Sequence, residues 1–438
     1  MDYPKFTHAM KQTHTILVPN MAVIQFTIVR AVLEAAGYHA ELLGNCGSEV
    51  AQLGLKYVHN DTCYPALLVI GQFLDALESG KYDLEHTALL ITQTGGGCRA
   101  SNYIHLLRKA LEKAGYGQIP VASLNFSGLE KDSGFDLTLP MLRRLVAAIF
   151  YGDLLSALRA QTLPYETKSG ATEALTQEWL DQLCLNVQEN RGYSVGEMRR
   201  TMPRMAADFA AIPVRRVPKV KVGVVGEIYV KYSPLGNNDL ENFLASQDCE
   251  VNLPGLMGFM QYCVYNQSET ARLYGGTWGK KHFSDVVLAY LARPERVMHD
   301  ALQQYGYHAP LPFAQLTRLA DGVIGHGNMM GEGWLLTAEM IELVEAGYEN
   351  IICAQPFGCL PNHICGKGMV GKIRALHPEA NITPIDYDPS ATRVNQENRI
   401  KLMLAVAKER LEAREAPARV PQSTSPAPAD VAAHPSYI

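Results

Sequence analysis

Short apolar runs alternate with helix-length segments along this chain, and that alternation limits it to layered α/β architectures. Thr15-Ile16-Leu17-Val18 reads as a first strand, followed by a helix over about residues 23–36 that ends at Gly37. Ala40-Glu41-Leu42-Leu43, Ala88-Leu89-Leu90-Ile91 and Val121-Ala122-Ser123-Leu124 read as further strands. Between the second and third, NDTCYPALLVIGQFLDALESG starts a helix, with Asn60 or Asp61 placed to cap it. A second series opens at Lys221-Val222-Gly223-Val224-Val225. It continues with strands expected near 250–253, 322–325, 350–353 and 382–385, and a closing helix over about 391–413. Asn237, Asn238 and Asp239 read first as a cap before LENFL.

The stretch between the two series is helical by pattern. The expected fold is therefore α/β, with two Rossmann-like, doubly wound parallel-sheet domains. Residues 1–140 form the first domain, 141–217 a helical connector, and 218–414 the second domain. Residues 415–438, rich in Pro, Ala and Ser, form a tail expected to be disordered.

At 438 residues the chain is long enough for two or three such domains. Its net charge of -5 and lack of a basic block with interleaved aromatics argue against a nucleic-acid partner. No apolar run is long enough to span a bilayer, and the opening MDYPKFTHAMKQTHTILV has no signal-peptide pattern, so the expected location is the cytoplasm. In that compartment nine cysteines do not read as a disulfide framework, and clustered ones become metal or redox candidates.

Three cysteines share a setting. Cys63 starts a helix in NDTCYPA, Cys98 ends a glycine run in TQTGGGCR, and Cys359 lies in the turn after a strand in QPFGCLPNH. Ligands of parallel sheets bind at the carboxyl ends of strands. A site shared by Cys63 and Cys98 from one sheet and Cys359 from the other would lie between domains. Helix N-termini favour thiolates. Gly95, Gly96 and Gly97 leave room for a bulky ligand and offer backbone N–H groups to anionic sulfur. Three thiolates on a 4Fe–4S cluster would leave one iron open to substrate.

Other readings stand beside this one. The stretch CAQPFGCLPNHICGKG fits soft-metal binding, and it also fits a tight loop whose cysteines pack as small apolar groups. Zinc would normally show paired CxxC motifs, and the sequence has none. There is no GxxxxGK[ST] phosphate loop, and GHGNMMG at 325–331 departs from the GxGxxG spacing. Cys46, Cys353 and Cys365 are possible additional ligands. Cys184 and Cys249 read as core, and His363 as a loop histidine. Glu227, after the strand KVGVVG, is a candidate acid or base and equally a helix cap. Arg99 is a candidate for stabilising an anionic cluster or substrate, or for a salt bridge across domains.

NDTCYPALLVIGQ, ITQTGGGCRASNYIHLLRKAL, GEIYVKYSPLGNNDL and QPFGCLPNHICGKGM, with the opening FTHAMKQTHTILVPNM, resemble the acyl-CoA dehydratase activase-related proteins. These group with the 2-hydroxyacyl-CoA dehydratase subunits and the double-cubane-cluster reductases. The resemblance spans about residues 4–412.

It implies an oxygen-sensitive iron–sulfur protein with Cys63, Cys98 and Cys359 as ligands of a 4Fe–4S cluster. The alternative is a double-cubane 8Fe–9S cluster that would need more donors, such as Cys46, Cys353 and Cys365, or a shared site. It further implies the iron–sulfur component of an ATP-driven low-potential reductase or 2-hydroxyacyl-CoA dehydratase system. The partner would be a separate dimeric activator ATPase of actin/Hsp70-like fold with its own cluster, and the chain would form a homodimer or pair with a related subunit. A non-catalytic cluster carrier or electron relay, and a scaffold without metal, are the alternatives.

Overall fold

The computed structural model describes residues 3–59, 61–93, 97–125 and 135–415. Two four-stranded sheets organise them. The first holds β1 (Thr15–Val18), β2 (His39–Leu42), β3 (Thr87–Gln93) and β4 (Val121–Asn125), in the order β2-β1-β3-β4. The second holds β5 (Val220–Gly226), β6 (Cys249–Asn252), β7 (Asn350–Pro356) and β8 (Asn381–Tyr387), in the order β6-β5-β7-β8. All pairings are parallel, so the two sheets repeat one topology that no sequence repeat announces. The central strands are apolar and buried along most of their length, as expected of parallel strands covered on both faces.

The strand expected at 322–325 is absent. Gly322 has φ +73, and Val323 and Ile324 donate to the Ala320 carbonyl, closing a turn. A left-handed backbone cannot continue a strand, so the apolar pair Val323-Ile324 is a turn with its side chains tucked against the core. The cap before Leu240–Ser246 also differs in detail. Asp239 is the cap residue but makes no side-chain cap bond, while Asn237 Oδ1 accepts from Leu240 N at 3.1 Å.

Helices Leu139–Thr162, Ala171–Gln188 and Val195–Ala210 fill the region between the sheets in sequence. They do more than connect. Their apolar faces merge with those of Val23–Ala35 and Trp278–Gln304 in one cluster that draws on both halves of the chain. A second cluster runs from Leu89 and Ile91 of β3, through Tyr64 and Leu67, to Val222 and Val224 of β5 and to Tyr229. Burial of apolar area, at roughly 25 cal/mol per Å², thus bridges the two sheets directly.

Helix Tyr64–Glu78 is held close to helix Ser48–Tyr57 by two facing glycines. A Cβ on Gly71 would stand 1.9 Å from the Val50 carbonyl oxygen, and one on Gly54 would stand 2.2 Å from that of Leu67. Only hydrogen fits at either place. This contact fixes the start of the helix that Cys63 precedes. Helix Arg393–Glu415 closes the described chain, and the tail expected to be disordered lies outside the described residues from 416 on. Among the described residues no helix is long and apolar enough to cross a membrane.

Candidate metal centre

Each of the three cysteines singled out by motif is the N-cap residue of a helical segment. Cys63 precedes Tyr64–Glu78, Cys98 precedes the 3-10 turn Arg99–Asn102, and Cys359 precedes Leu360–Cys365. Cys63, not Asp61, is the cap of the first of these helices (φ −50, ψ 133), and Asn60 lies outside the described residues. Cys98 follows β3 and Cys359 follows β7, which hold equivalent places in their sheets. The three thiols share one electrostatic environment: Cys98 and Cys359 both act on Cys63, and Glu227 acts on all three. Of the candidate glycines, Gly97 is described, whereas Gly95 and Gly96 lie outside the described residues.

A hydrogen-bonded frame holds these turns. The Tyr103 hydroxyl donates to Cys63 Sγ at 3.1 Å, and Asn362 Nδ2 donates to Cys359 Sγ at 3.4 Å. Arg99 Nη1 donates to the Asp61 carbonyl at 2.7 Å, bracing the Cys98 turn against the Cys63 turn within the first sheet's half. Glu332 is the hub on the other side. One of its oxygens accepts from Asn362 Nδ2 at 2.8 Å, and the other accepts from Ile228 N at 2.9 Å. Glu227 is the N-cap of Ile228–Tyr232 and accepts from Val230 N at 2.8 Å. Both carboxylates therefore grip the same short helix start at the carboxyl end of β5.

Burial sets the protonation of this group. It pushes the Cys63 thiol well above its ordinary value, against the pull of the Tyr103 hydroxyl, and pushes the Cys359 thiol up to about 12. Cys98 is raised for the same reason. A helix N-terminus alone should favour the thiolate, but here desolvation outweighs it. Burial, then the neighbouring Glu332, pushes Glu227 up to about 8, and burial raises Glu332 as well.

Stability of the metal-free protein should follow. Glu227 and Glu342, the latter pushed up to about 7 by burial, hold protons in the folded state that unfolded glutamates have lost. Their stabilising contribution is complete below the ordinary carboxyl pKa and is lost as pH rises toward about 8. Buried His299, pushed down to about 4, acts in the opposite sense, but only below its ordinary 6.5. Melting temperature should therefore fall between pH 6.5 and 8, and Glu227→Gln should flatten that fall. A profile that rises across this window in the parent protein would contradict the assignment.

The remaining cysteines separate by burial. Cys46 is exposed in a loop, Cys353 is fully buried inside β7, and Cys365 is buried at the end of its helix. Cys249 is buried in β6, and Cys184 packs against the helical cluster. His363 stands 3.7 Å from Asp386, a carboxylate that also takes the Gln355 amide. Among the described residues no group of three or more His, Cys, Asp or Glu is set closely enough to hold a single metal ion.

Sequence reasoning passed over Glu332, Asn362 and Tyr103. Asn362 lies three residues after Cys359, one helical turn into the segment that cysteine caps, a spacing that points to it. Glu332 carries no such local signal, because its partners lie 30 and 104 residues away.

Compared with known proteins, the chain matches no protein-family model and no curated protein.

Proposed function

We propose that Cys63, Cys98 and Cys359 hold a 4Fe–4S cluster in the cleft between two Rossmann-like domains. The protein would be the iron–sulfur component of a cytoplasmic, ATP-driven low-potential reductase or 2-hydroxyacyl-CoA dehydratase system. One observation carries the reading: three N-cap cysteines from two topologically equivalent sheets share one site with two carboxylates. Thiols drawn from three separate turns suit a cubane, which spreads its ligands over its corners. A multiply charged cationic core would also offset the desolvation that otherwise keeps these thiols protonated. Cys353 and Cys365, which a double-cubane 8Fe–9S cluster would call on, are buried in the packing of β7 and its helix. The smaller cluster needs neither.

Such a cluster supplies one-electron chemistry at low potential when bound. The chain's own residues do the rest. Tyr103 and Asn362 donate to the ligand sulfurs and orient them. Glu227 and Glu332 stand beside the thiols; burial pushes Glu227 up to about 8, so that it holds a proton near neutral pH, and raises Glu332 as well. Arg99 fixes the distance between two cysteine turns. Electrons come from a separate activator ATPase in this reading, since the sequence has no phosphate-binding lysine loop of its own.

Anaerobically purified protein should contain iron and acid-labile sulfide and give a cubane EPR signal on reduction. Single changes of Cys63, Cys98 or Cys359 to Ser should each lower iron content and bleach the colour, while Cys184→Ser leaves both intact. Full iron retention in all three variants defeats the assignment.

A further inference from the structure

Helices Leu256–Tyr274 and Trp278–Gln304 form a hairpin closed by Gly275, Gly276 and Thr277. The turn is tight: Gly275 holds φ +80, and a Cβ on Gly276 would stand 2.9 Å from that of Ala271. The inner side of the second helix is committed to the fold. Ser284 and Leu291 are buried, Val287 and Tyr290 pack against the cluster that joins both halves of the chain, and Leu288 packs against the cluster around Trp334. The outer side is apolar as well. Trp278, His282, Phe283 and Val286 fall on one side of the helix, and the Trp278 and His282 rings stack with centroids 5.1 Å apart. Trp278 is 77% exposed, Phe283 67%, and Tyr274, just before the glycine turn, 70%. Three aromatics left bare on a rigid hairpin mark an interface rather than a core.

We propose that a second copy of this chain covers this face, the two Trp278–Gln304 helices crossing antiparallel about a two-fold axis at Phe283. Area, charge and shape select that occupant. An aromatic side chain buries about 150–250 Å² when covered, so these three supply much of one side of an interface. With Leu273 and Val286, also exposed, they approach the roughly 800 Å² that each partner gives to a standard one. The face also carries its own charge complement. An axis at Phe283 sets residues two places before it against residues two places after it, so Lys281 of each copy lies opposite Asp285 of the other. Lys281 and Asp285 are both exposed and stand one turn apart on the same flank of the helix, and antiparallel crossing brings like flanks together. The Ser268 hydroxyl donates to Asp285 Oδ1 at 3.2 Å, which orients that carboxylate in advance. Gly279 supplies the shape. Nothing lies within 4 Å of where its Cβ would stand, so it leaves a hole one turn before Phe283 for the Phe283 ring of the other copy. The inference stands apart from the cluster reading, and its test needs no iron.

Sedimentation velocity of the full chain over a range of concentrations should show a dimer. Phe283→Glu and Trp278→Glu should each give monomers with unchanged circular dichroism, since both side chains are exposed. Lys281→Asp and Asp285→Lys should each weaken dimerisation about tenfold or more, because like charges then meet at both symmetric contacts. Mixing these two variants should restore the dimer, because each then meets opposite charge at both contacts. Truncation after Glu415 should leave the dimer intact. A parent chain that stays monomeric overturns the proposal, whether or not it co-sediments with anionic vesicles. So does a dimer that survives Phe283→Glu, a dimer lost on that truncation, or a mixture of the charge variants no tighter than either alone.

Discussion

Replacing Lys231 with methionine should cost about 3–5 kcal/mol of stability, the usual result of removing one partner of a buried ion pair. Lys231 is 4% exposed and its partner Glu339 is 3% exposed, with Nζ 3.3 Å from the nearer oxygen. The charge serves more than one carboxylate. Lys231 also holds down the pKa values of Asp153, Glu227, Glu332 and Glu342, all of them otherwise raised by burial. Without it, Glu339 must either take a proton or remain a buried anion, and the other four each lose a counter-charge. The double change Lys231→Met with Glu339→Leu should recover most of the loss, because apolar replacements of a buried pair are often tolerated. Urea unfolding of both singles and the double gives the coupling directly. A single change costing no more than a surface substitution would show that Lys231 does not carry the network.

Glu332 should divide its substitutions sharply. Glu332→Ala strips the acceptors from the part-buried Ile228 N and from one N–H of the buried Asn362 amide, whose nitrogen keeps only Cys359 Sγ, at about 1–3 kcal/mol each. Part of that is offset by removing a carboxyl that burial already disfavours. A net loss of about 2–4 kcal/mol remains on that count. Glu332→Gln should stay within about 1 kcal/mol of the parent, the worth of a single neutral hydrogen bond. Glutamine keeps an oxygen for Ile228 N, and Asn362 can turn its amide to offer the unpartnered Oδ1, at the cost of withdrawing Nδ2 from Cys359 Sγ. Because Asn362 loses its anchor in one variant and turns away in the other, both should lower iron retention, while the alanine variant should lose more melting temperature. Equal melting temperatures in the two variants, with full iron in both, would remove Glu332 from the frame around the cysteines.

Most of the strands were legible because each is a short, continuous apolar run set off by polar turns, and that pattern is local. The expected strand at 250–253 is β6 shifted by one residue, and the helix expected at 391–413 is Arg393–Glu415. The run that failed, Val323-Ile324, was lost to the left-handed Gly322 beside it, whose conformation depends on the packing of the segment rather than on its composition.

The three cysteines were legible too, since thiols at helix starts and glycine turns are rare enough to stand out in one dimension. What the sequence by itself determined is therefore the periodic strands and helices, and the local turns that place Cys63, Cys98 and Cys359 at helix starts. Only the tertiary structure decided that both sheets share one strand order, that Glu332 reaches Ile228 and Asn362 across long separations, and that burial outweighs the helix ends in setting thiol protonation. The physical reason is range. Propensity and capping act over a few residues, whereas desolvation and hydrogen bonds between distant segments exist only once the chain has closed around them.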